Sequence, residues 1–320
     1  MQNTKLLAGI AKDTLRGLSA NPKYLLSKYF YDDTGSRIFQ DIMNMPEYYL
    51  TDCEMDIFSM FKNPIAEAFH DGIDTFYLVE FGAGDGLKTK VLLQHLSEKQ
   101  VQFNYIPIDI SQMTNNALVD DLKSEIPGLH VNARTGDYFE IMGELNRLNG
   151  TRKIVLFLGA NIGNYSLDET YAFLEQLASV THPGDKVLIG FDLKKSPEII
   201  YKAYNDPHGH TRRFNLNHLQ RINRELGADF KLENFEHHTM YSPFTGMVKS
   251  YLVSTLDQTV HIDTLVKSFR FRKWEPIFME LSQKYNTDTI LKLAINTGFE
   301  IERNFTDSKG YFVDSLWRRV

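Results

Sequence analysis

Cysteine is nearly absent from this sequence: Cys53 is the only one among 320 residues. A single cysteine can form neither an intrachain disulfide nor a cysteine-based zinc cluster. No histidine is arranged with Cys53 in a way that would activate it as a nucleophile. We therefore expect a cytoplasmic protein that uses neither a metal nor cysteine chemistry.

Long apolar runs and an excess of positive charge are also missing. No apolar stretch approaches the roughly 18 residues that a membrane helix needs. The N-terminus is amphipathic with internal charges, unlike a signal peptide. The net charge of −6 gives no general attraction to nucleic acid or to anionic lipid. With 42% hydrophobic and 24% charged residues, the chain is expected to be soluble and globular, with neither a nucleic acid nor a membrane as partner.

A glycine-rich turn is the most informative motif. The apolar segment 76–81 is followed by Gly82, Gly84 and Gly86, and helical spacing begins near residue 88. Dinucleotide sites need Gly-x-Gly-x-x-Gly, and phosphate loops need Gly-Lys-Ser/Thr, whereas Leu87 follows the last glycine here. The pattern favours a nucleoside cofactor without a pyrophosphate, such as S-adenosylmethionine. An ordinary structural turn and a degenerate dinucleotide site remain open.

Strand and helix patterns alternate from residue 76 onward, which predicts an α/β fold with a parallel sheet. Ligands of such sheets bind at the carboxyl ends of the strands. Further strands are predicted within 101–111, 130–139, 152–166 and 185–195. The polar candidates at their ends are Glu80, Asp109, Asp137, Asn161, Asn164 and Asp192.

Two of these carboxylates suit a nucleoside. Asp109, at the end of the second strand, could accept hydrogen bonds from both ribose hydroxyls. Asp137, after Gly136, could accept one from the exocyclic amine of adenine. A helix cap or an ion-pair partner is the structural alternative for Asp109.

Local signals outline the remaining elements. Ser36 is predicted to cap a helix over residues 37–44, and Thr51 with Glu54 has the spacing of a capping box. Ser166 is expected to cap the helix that follows it. After Asp192 the alternation breaks, and segments 245–254 and 259–271 have the pattern of antiparallel strands. A capped helix ending at Gly298 and a strand pair over 299–304 and 309–316 complete the chain as in a class I methyltransferase core.

Five motifs, in order, resemble the histidine N-alpha-methyltransferases of ergothioneine biosynthesis: YFYDDTGSRIFQDIMNMPEYYLT, VEFGAGDGLKTK, FLGANIGNY, AYNDPHGHTRRFN and FMELSQKY. The resemblance spans nearly the whole chain. It implies a class I Rossmann-like methyltransferase domain over residues 53–193 and 284–320. It also implies a second, α+β substrate-binding domain, formed by residues 1–52 and by an insertion after the fifth strand, 194–283.

The resemblance also implies site residues. S-adenosylmethionine would be held by Gly82, Gly84, Lys88, Asp109, Asp137 and Tyr138. Asn164 and Tyr204 would bind the carboxylate of L-histidine, and Tyr48 would contact its imidazole. Glu280 and Ser282 would hold the imidazole nitrogens, which would favour histidine over apolar amino acids. Tyr31, near the methionine end of the cofactor, would orient the attacking amine or relay its proton, a task that water could also perform.

The implied reaction is the conversion of histidine to N-alpha-trimethylhistidine by a monomeric enzyme. Two other interpretations stay open. Ser250 stands where the family commonly has methionine, near the substrate side chain, which would suit another small amine or a peptide. The chain could also be a cofactor-binding module without catalysis of its own.

Overall fold

The computed structural model describes residues 2–72, 75–148 and 151–320. The chain divides into two compact units. Unit 1 consists of the N-terminal segment up to Tyr49 together with Lys195–Ser282. Unit 2 consists of Leu50–Lys194 together with Gln283–Val320. Along the described parts of the chain, no helix has both the length and the apolar character required to cross a membrane.

The helices and strands are numbered in chain order. The helices are α1 Gln2–Ser19, α2 Asp33–Met43, α3 Tyr49–His70, α4 Thr89–Glu98, α5 Gln112–Glu125, α6 Tyr138–Leu148, α7 Leu167–Ser179, α8 Pro197–Tyr204, α9 His210–Leu226 and α10 Thr287–Asn296. The strands are β1 Lys23–Tyr24, β2 Phe76–Phe81, β3 Phe103–Asp109, β4 Arg134–Thr135, β5 Lys153–Phe157, β6 Lys186–Asp192, β7 Phe235–Ser242, β8 Met247–Ser254, β9 Gln258–Ile262, β10 Lys267–Phe271, β11 Pro276–Gln283, β12 Phe299–Thr306 and β13 Phe312–Arg319.

The sheet of unit 2 determines where the candidate cofactor-binding residues lie. Its strands, as far as the structure describes them, lie in the order β12-β13-β6-β5-β2-β3-β4. Strands β2 to β6 are parallel, and β13 runs antiparallel to both β6 and β12. Strands β5 and β6 are buried throughout, as the near-continuous apolar sequence of a covered parallel sheet requires. The predicted α/β class, with a terminal antiparallel strand pair, is confirmed.

Unit 1 combines helices with sheet, the α+β organisation that the family resemblance implies. Strands β1, β11, β8 and β7 form one sheet in that order, and β9 pairs with β10. In β8 every second side chain is buried, so one face of the strand packs against a core. That core includes Phe30, Phe214, Leu252 and Met279. The assignment of substrate binding to this unit remains a proposal.

Several strand predictions need correction. In the segment 130–139 only Arg134–Thr135 forms a strand, with an additional bridge between Tyr105 and Val131. The segment 259–271 is not one strand but the hairpin of β9 and β10. Strand β8 lies between β11 and β7, and the sequence did not reveal β7 because FEHHTMYS contains too few apolar residues to show clear alternation.

Two helix caps were also predicted wrongly. Ser36 lies inside α2, whose N-cap is Asp32, because the Asp32 side chain accepts a hydrogen bond from the Gly35 amide at 2.7 Å. Thr51 lies inside α3, which already begins at Tyr49. The capping box at Ser166 is confirmed, with Glu169 completing it.

Candidate active site

The glycine-rich turn follows β2 at the carboxyl edge of the unit 2 sheet. Its three glycines all adopt left-handed backbone angles, with φ of 69° at Gly82, 56° at Gly84 and 66° at Gly86. The Gly82 amide donates to the carbonyl of Ile108 in β3 at 2.8 Å, which ties the turn to the neighbouring strand. Side chains other than glycine would be strained at each of these positions.

Space around the turn fits a ligand that approaches the main chain. A Cβ atom added at Gly84 would have no other atom within 4 Å. One added at Gly82 would lie 2.9 Å from the hydroxyl of Tyr138. The glycine backbone is therefore open at Gly84 and bordered by a tyrosine hydroxyl at Gly82, as a nucleoside cofactor requires.

Asp109 ends β3 beside this turn. Its Oδ1 accepts a hydrogen bond from the Ser111 amide at 2.9 Å. Burial raises the pKa of the Asp109 carboxyl, and the amides of Ser111, Gly84 and Ile110 partly oppose that shift. The N-cap of α5 is Ser111, so Asp109 is not the cap that the structural alternative supposed.

Asp137 and Tyr138 stand at the start of α6. Oδ1 of Asp137 accepts hydrogen bonds from the amides of Phe139 at 2.9 Å and Glu140 at 3.1 Å. That arrangement caps the helix through one carboxylate oxygen. The Tyr138 ring stacks on Phe81, with ring centroids 4.6 Å apart and planes 5° from parallel. Burial, with the charge of Asp109 as the next cause, raises the pKa of Tyr138, so its hydroxyl keeps its proton.

Lys88 precedes α4 and forms an ion pair with Glu54 of α3. The same Glu54 carboxylate accepts hydrogen bonds from the Gly159 amide, at 2.8 Å to Oε1 and 3.0 Å to Oε2. Lys88 thus has a buried carboxylate partner within unit 2. The capping-box role predicted for Glu54 is wrong, because its carboxylate contacts Lys88 and Gly159, which lie far away in the sequence.

Glu80, the last polar residue of β2, is buried under the turn. Thr89 donates to its Oε1 at 2.7 Å, and the Tyr105 hydroxyl donates to its Oε2. Burial raises the pKa of Glu80 to about 7, although both hydrogen bonds act in the opposite direction. The residue joins the end of β2 to the first residue of α4.

Glu80→Gln should change how stability depends on pH. With a folded-state pKa near 7 and an ordinary unfolded value near 4.5, the native state binds the extra proton between these limits. The contribution of Glu80 to the free energy of unfolding is then highest below about pH 4.5 and falls as the pH rises to 7. The glutamine variant cannot ionise, so its melting temperature should fall less between pH 5 and pH 8.

Thermal melts across that range test this expectation, with the exposed Glu175→Gln in α7 as the control. The control should follow the wild-type profile. Parallel profiles for Glu80→Gln and the wild type would contradict the role given to the Glu80 proton.

The segment after β5 forms a tight turn that carries Asn164. Ala160 has a left-handed φ of 54°, and residues Asn161–Asn164 form a 3₁₀ helix. The Tyr285 hydroxyl donates to the carbonyl of Ile162 at 3.0 Å and supports this turn from below. Asn164 itself is exposed. The sequence did not indicate Tyr285, whose contact spans 123 residues.

In unit 1 the structure brings together two predicted substrate residues. The hydroxyls of Tyr204, in α8, and Ser282, in β11, are 2.8 Å apart and buried. Thr239 of β7 donates to the Tyr204 carbonyl at 2.8 Å, which fixes the end of α8 against the sheet. Residues 278–283 of the FMELSQKY motif lie in strand β11.

Tyr48 and Tyr31 belong to a cluster of aromatic rings that also includes Tyr204. Ring centroids of Tyr48 and Tyr204 are 6.4 Å apart. Tyr31 makes edge contacts with Phe39 and Phe214, each with centroids 5.4 Å apart. Desolvation raises the pKa of Tyr31, with the Glu280 carboxylate as the next cause. The Tyr31 side chain is 49% exposed, so water screens part of this effect.

The predicted residues thus form two groups. Unit 1 contributes aromatic and polar side chains around the buried hydroxyl pair, namely Tyr31, Tyr48, Tyr204, Glu280 and Ser282. Unit 2 contributes the glycine turn with its carboxylates and tyrosine, and it also carries Asn164. The chemistry of the second group fits a nucleoside, and that of the first fits a small polar molecule with a ring.

The sequence of this chain is similar to those of known methyltransferases and ergothioneine biosynthesis proteins. The chain is 34% identical to the histidine N-alpha-methyltransferase of Mycobacterium tuberculosis, over 96% of this chain and 94% of that protein. It is 29% identical to ergothioneine biosynthesis protein 1 of Schizosaccharomyces pombe, over 86% of this chain and 36% of that longer protein.

Among solved structures, magnesium protoporphyrin IX methyltransferase of Synechocystis PCC 6803 aligns with a TM-score of 0.47 and 15% identity, over 92% of this chain and 98% of that one. The family assignment rests on sequence. A family model described as histidine-specific, S-adenosylmethionine-dependent methyltransferase matches residues 10–319. The predicted family is confirmed: this chain belongs to the S-adenosylmethionine-dependent, histidine-specific methyltransferases.

Proposed function

We propose that this methyltransferase transfers methyl groups from S-adenosylmethionine to the α-amino nitrogen of L-histidine, giving N-alpha-trimethylhistidine as the first step of ergothioneine biosynthesis. The observation that carries the proposal is the buried hydroxyl pair of Tyr204 and Ser282, beside a carboxylate on the same strand, Glu280. Hydroxyl and carboxylate groups among aromatic rings match an imidazole with polar nitrogens. The names of the relatives point to the same substrate.

The cofactor assignments follow from the chemistry of unit 2. S-adenosylmethionine supplies an activated methyl group on a sulfonium, so the protein mainly positions and desolvates the reactants. Asp109 would accept hydrogen bonds from the ribose hydroxyls, and Asp137 would use the oxygen not engaged in its helix cap for the adenine amine. The open backbone at Gly84 would receive the methionine part, with the Tyr138 hydroxyl bordering it at Gly82. Gly82 and Lys88 would complete this part of the cofactor site.

Substrate recognition would depend on anchoring both ends of histidine. Asn164 and Tyr204 would bind the carboxylate, and Glu280 with Ser282 would bind the imidazole nitrogens against Tyr48. The hydrogen bond between Tyr204 and Ser282 couples these two tasks within unit 1. With both ends held, the amine can rotate and accept successive methyl groups without release of the amino acid.

The amine must lose a proton before it attacks. Because its pKa is raised, Tyr31 is a neutral phenol at physiological pH and cannot act as a phenolate base. It can still accept a hydrogen bond from the amine while donating its own proton onward. We infer an orienting or relay role for Tyr31, with water as the final proton acceptor.

Incubation with histidine and S-adenosylmethionine, followed by mass spectrometry, tests the proposal. Three successive gains of one methylene mass on histidine are expected. No gain on histidine together with a gain on another amine would overturn the substrate assignment. Light scattering of the purified protein would test the expected monomer, which stays a prediction, as does the cytoplasmic location.

Another small amine is the second candidate substrate, and Ser250 is the observation that favours it. Ser250 in β8 is buried, and among the described residues its hydroxyl has no hydrogen-bond partner. An unpaired buried hydroxyl is costly unless a ligand or water satisfies it. Competition of a panel of amino acids against histidine separates the candidates, because a preferred rival would suppress histidine methylation at equimolar concentration.

A further inference from the structure

Glu54 occupies a position in unit 2 that the proposed reaction does not explain. Its side chain is fully buried, and its carboxylate pairs with Lys88 and accepts two contacts from the Gly159 amide. Lys88 lies two residues after Gly86 of the glycine-rich turn, and Gly159 begins the turn that leads to Asn164. One carboxylate therefore holds two segments that the proposed function assigns to different ligands.

The sheet leaves room for this carboxylate. Gly190 lies within β6, where a Cβ atom would approach Glu54 Oε1 to 2.5 Å and the Phe312 ring to 3.0 Å. Glycine inside a strand forfeits packing and often marks a close approach by another group. Here the approaching group is the Glu54 side chain.

Asp314 is a second buried carboxyl group next to the first. It lies in β13, opposite Gly190 of β6, and its side chain is fully buried. Among the described residues, no N–H or O–H group donates a hydrogen bond to either carboxyl oxygen of Asp314. Its position opposite Gly190 places Asp314 beside the space that the Glu54 carboxylate fills, and two neighbouring carboxyl groups can share a hydrogen bond only through a proton.

Burial and the neighbouring Glu54 charge both raise the pKa of Asp314, while Lys88 lowers it. This agrees with an arrangement of one shared proton and one lysine for two carboxyl groups. The net charge of the trio is then zero, which is the state that a dry site favours.

We propose that Glu54 is a positioning residue, held by a hydrogen bond from the carboxyl group of Asp314, which sets Lys88 and the Gly159–Asn164 turn in the geometry that cofactor and substrate need. The assignment of Asn164 to the substrate rests on the proposed function. The link from Glu54 to Lys88 and the cofactor turn does not depend on the identity of the methyl acceptor.

A matched site at the opposite edge of the same sheet separates positioning from stability. Asp185, just before β6, is also buried, accepts the Lys153 amide at 2.8 Å and lies 3.4 Å from the Lys153 ammonium. It has the same partners in kind, a backbone amide and a lysine, but it lies at the amino end of the strands. Asp185→Asn therefore reports the cost of losing a buried carboxylate away from the ligands.

The test compares Glu54→Gln with Asp185→Asn in the full-length protein. For Glu54→Gln, the Kd for S-adenosylhomocysteine by calorimetry and the KM for histidine should each rise about tenfold or more, because misplaced ligand-binding groups are costly. Asp185→Asn should lower the melting temperature while its Kd stays within about twofold of wild type. Equal Kd values for Glu54→Gln and the wild type would overturn the proposal.

Three further variants test the shared proton and the space at Gly190 if Glu54→Gln folds poorly. Asp314→Asn keeps a donor toward Glu54 and should bind S-adenosylhomocysteine more tightly than Asp314→Ala, by about fivefold or more. Gly190→Ala should weaken cofactor binding by displacing Glu54 without removing any charge. Equal affinities for the two Asp314 variants, or an unchanged Kd in Gly190→Ala, would count against the arrangement. Failure of the wild type to methylate histidine would refute the proposed substrate but leave these cofactor measurements valid.

Discussion

Glu280→Ala should lower kcat/KM for histidine by about 10²-fold, because a hydrogen bond to a charged group is worth roughly 1.5–3 kcal/mol. Glu280 lies on β11, two residues before Ser282, whose hydroxyl pairs with Tyr204. Its carboxylate raises the pKa of Tyr31, so its charge acts on the same cluster of side chains. Loss of that charge would leave an imidazole N–H without its acceptor.

Cofactor affinity is the control in this experiment. Glu280 is assigned to the substrate and the glycine turn to the cofactor, so the Kd for S-adenosylhomocysteine should remain within about twofold of wild type. Glu280→Gln should retain more activity than alanine, since the amide oxygen can still accept a hydrogen bond. The exposed Glu236→Ala of β7 should behave as wild type. Parallel losses of histidine use and cofactor affinity in Glu280→Ala would remove Glu280 from substrate recognition.

The parallel sheet could be predicted because its physics is local. Strands covered on both faces appear as apolar runs, as in KIVLF of β5, and helices between them carry their own periodicity. The unit 1 strands lack this signal. In β7 the residues Glu236, His237 and His238 interrupt the apolar alternation, and only its pairing with β8 makes the segment a strand.

Side chains whose role depends on distant contacts could not be predicted. Glu54 has the spacing of a capping box with Thr51, yet it reaches Gly159, 105 residues away. Asp314 sits in an ordinary-looking terminal strand, and its burial follows only from the order of the sheet. Local sequence patterns report caps and turns, whereas buried electrostatic partners depend on which strands and helices become neighbours.

The candidate ligand-binding residues could be predicted only in part from local sequence patterns. Gly82, Gly84 and Asp109 follow from a strand–turn–helix pattern whose chemistry is recognisable. Tyr204, Glu280 and Ser282 were identified only through resemblance to a family, because isolated tyrosines and acids occur everywhere on protein surfaces. The structure adds their arrangement: a buried hydroxyl pair between a helix end and a sheet.

Asp109→Ala should raise the Kd for S-adenosylhomocysteine by about 10²-fold, because it removes a charged acceptor proposed to serve two ribose hydroxyls. The substitution would also affect the glycine turn itself. The Gly84 amide also favours the ionised Asp109 carboxylate, so the substitution would remove one partner of the glycine turn. Calorimetric titration measures the effect, and the exposed Asp120→Ala of α5 is the matched control, expected to bind as wild type.

The pH dependence of binding tests the ionisation of Asp109. Because burial raises its pKa above the ordinary value of 3.8, protonation begins at a higher pH than for an exposed aspartate. The ionised form accepts both hydroxyls, so affinity should be full at neutral pH and decline as pH falls through the raised pKa. Asp109→Asn should bind weakly with little change over the same acidic range. A wild-type affinity that stays constant down to pH 4, or an alanine variant that binds normally, would remove Asp109 from the ribose site.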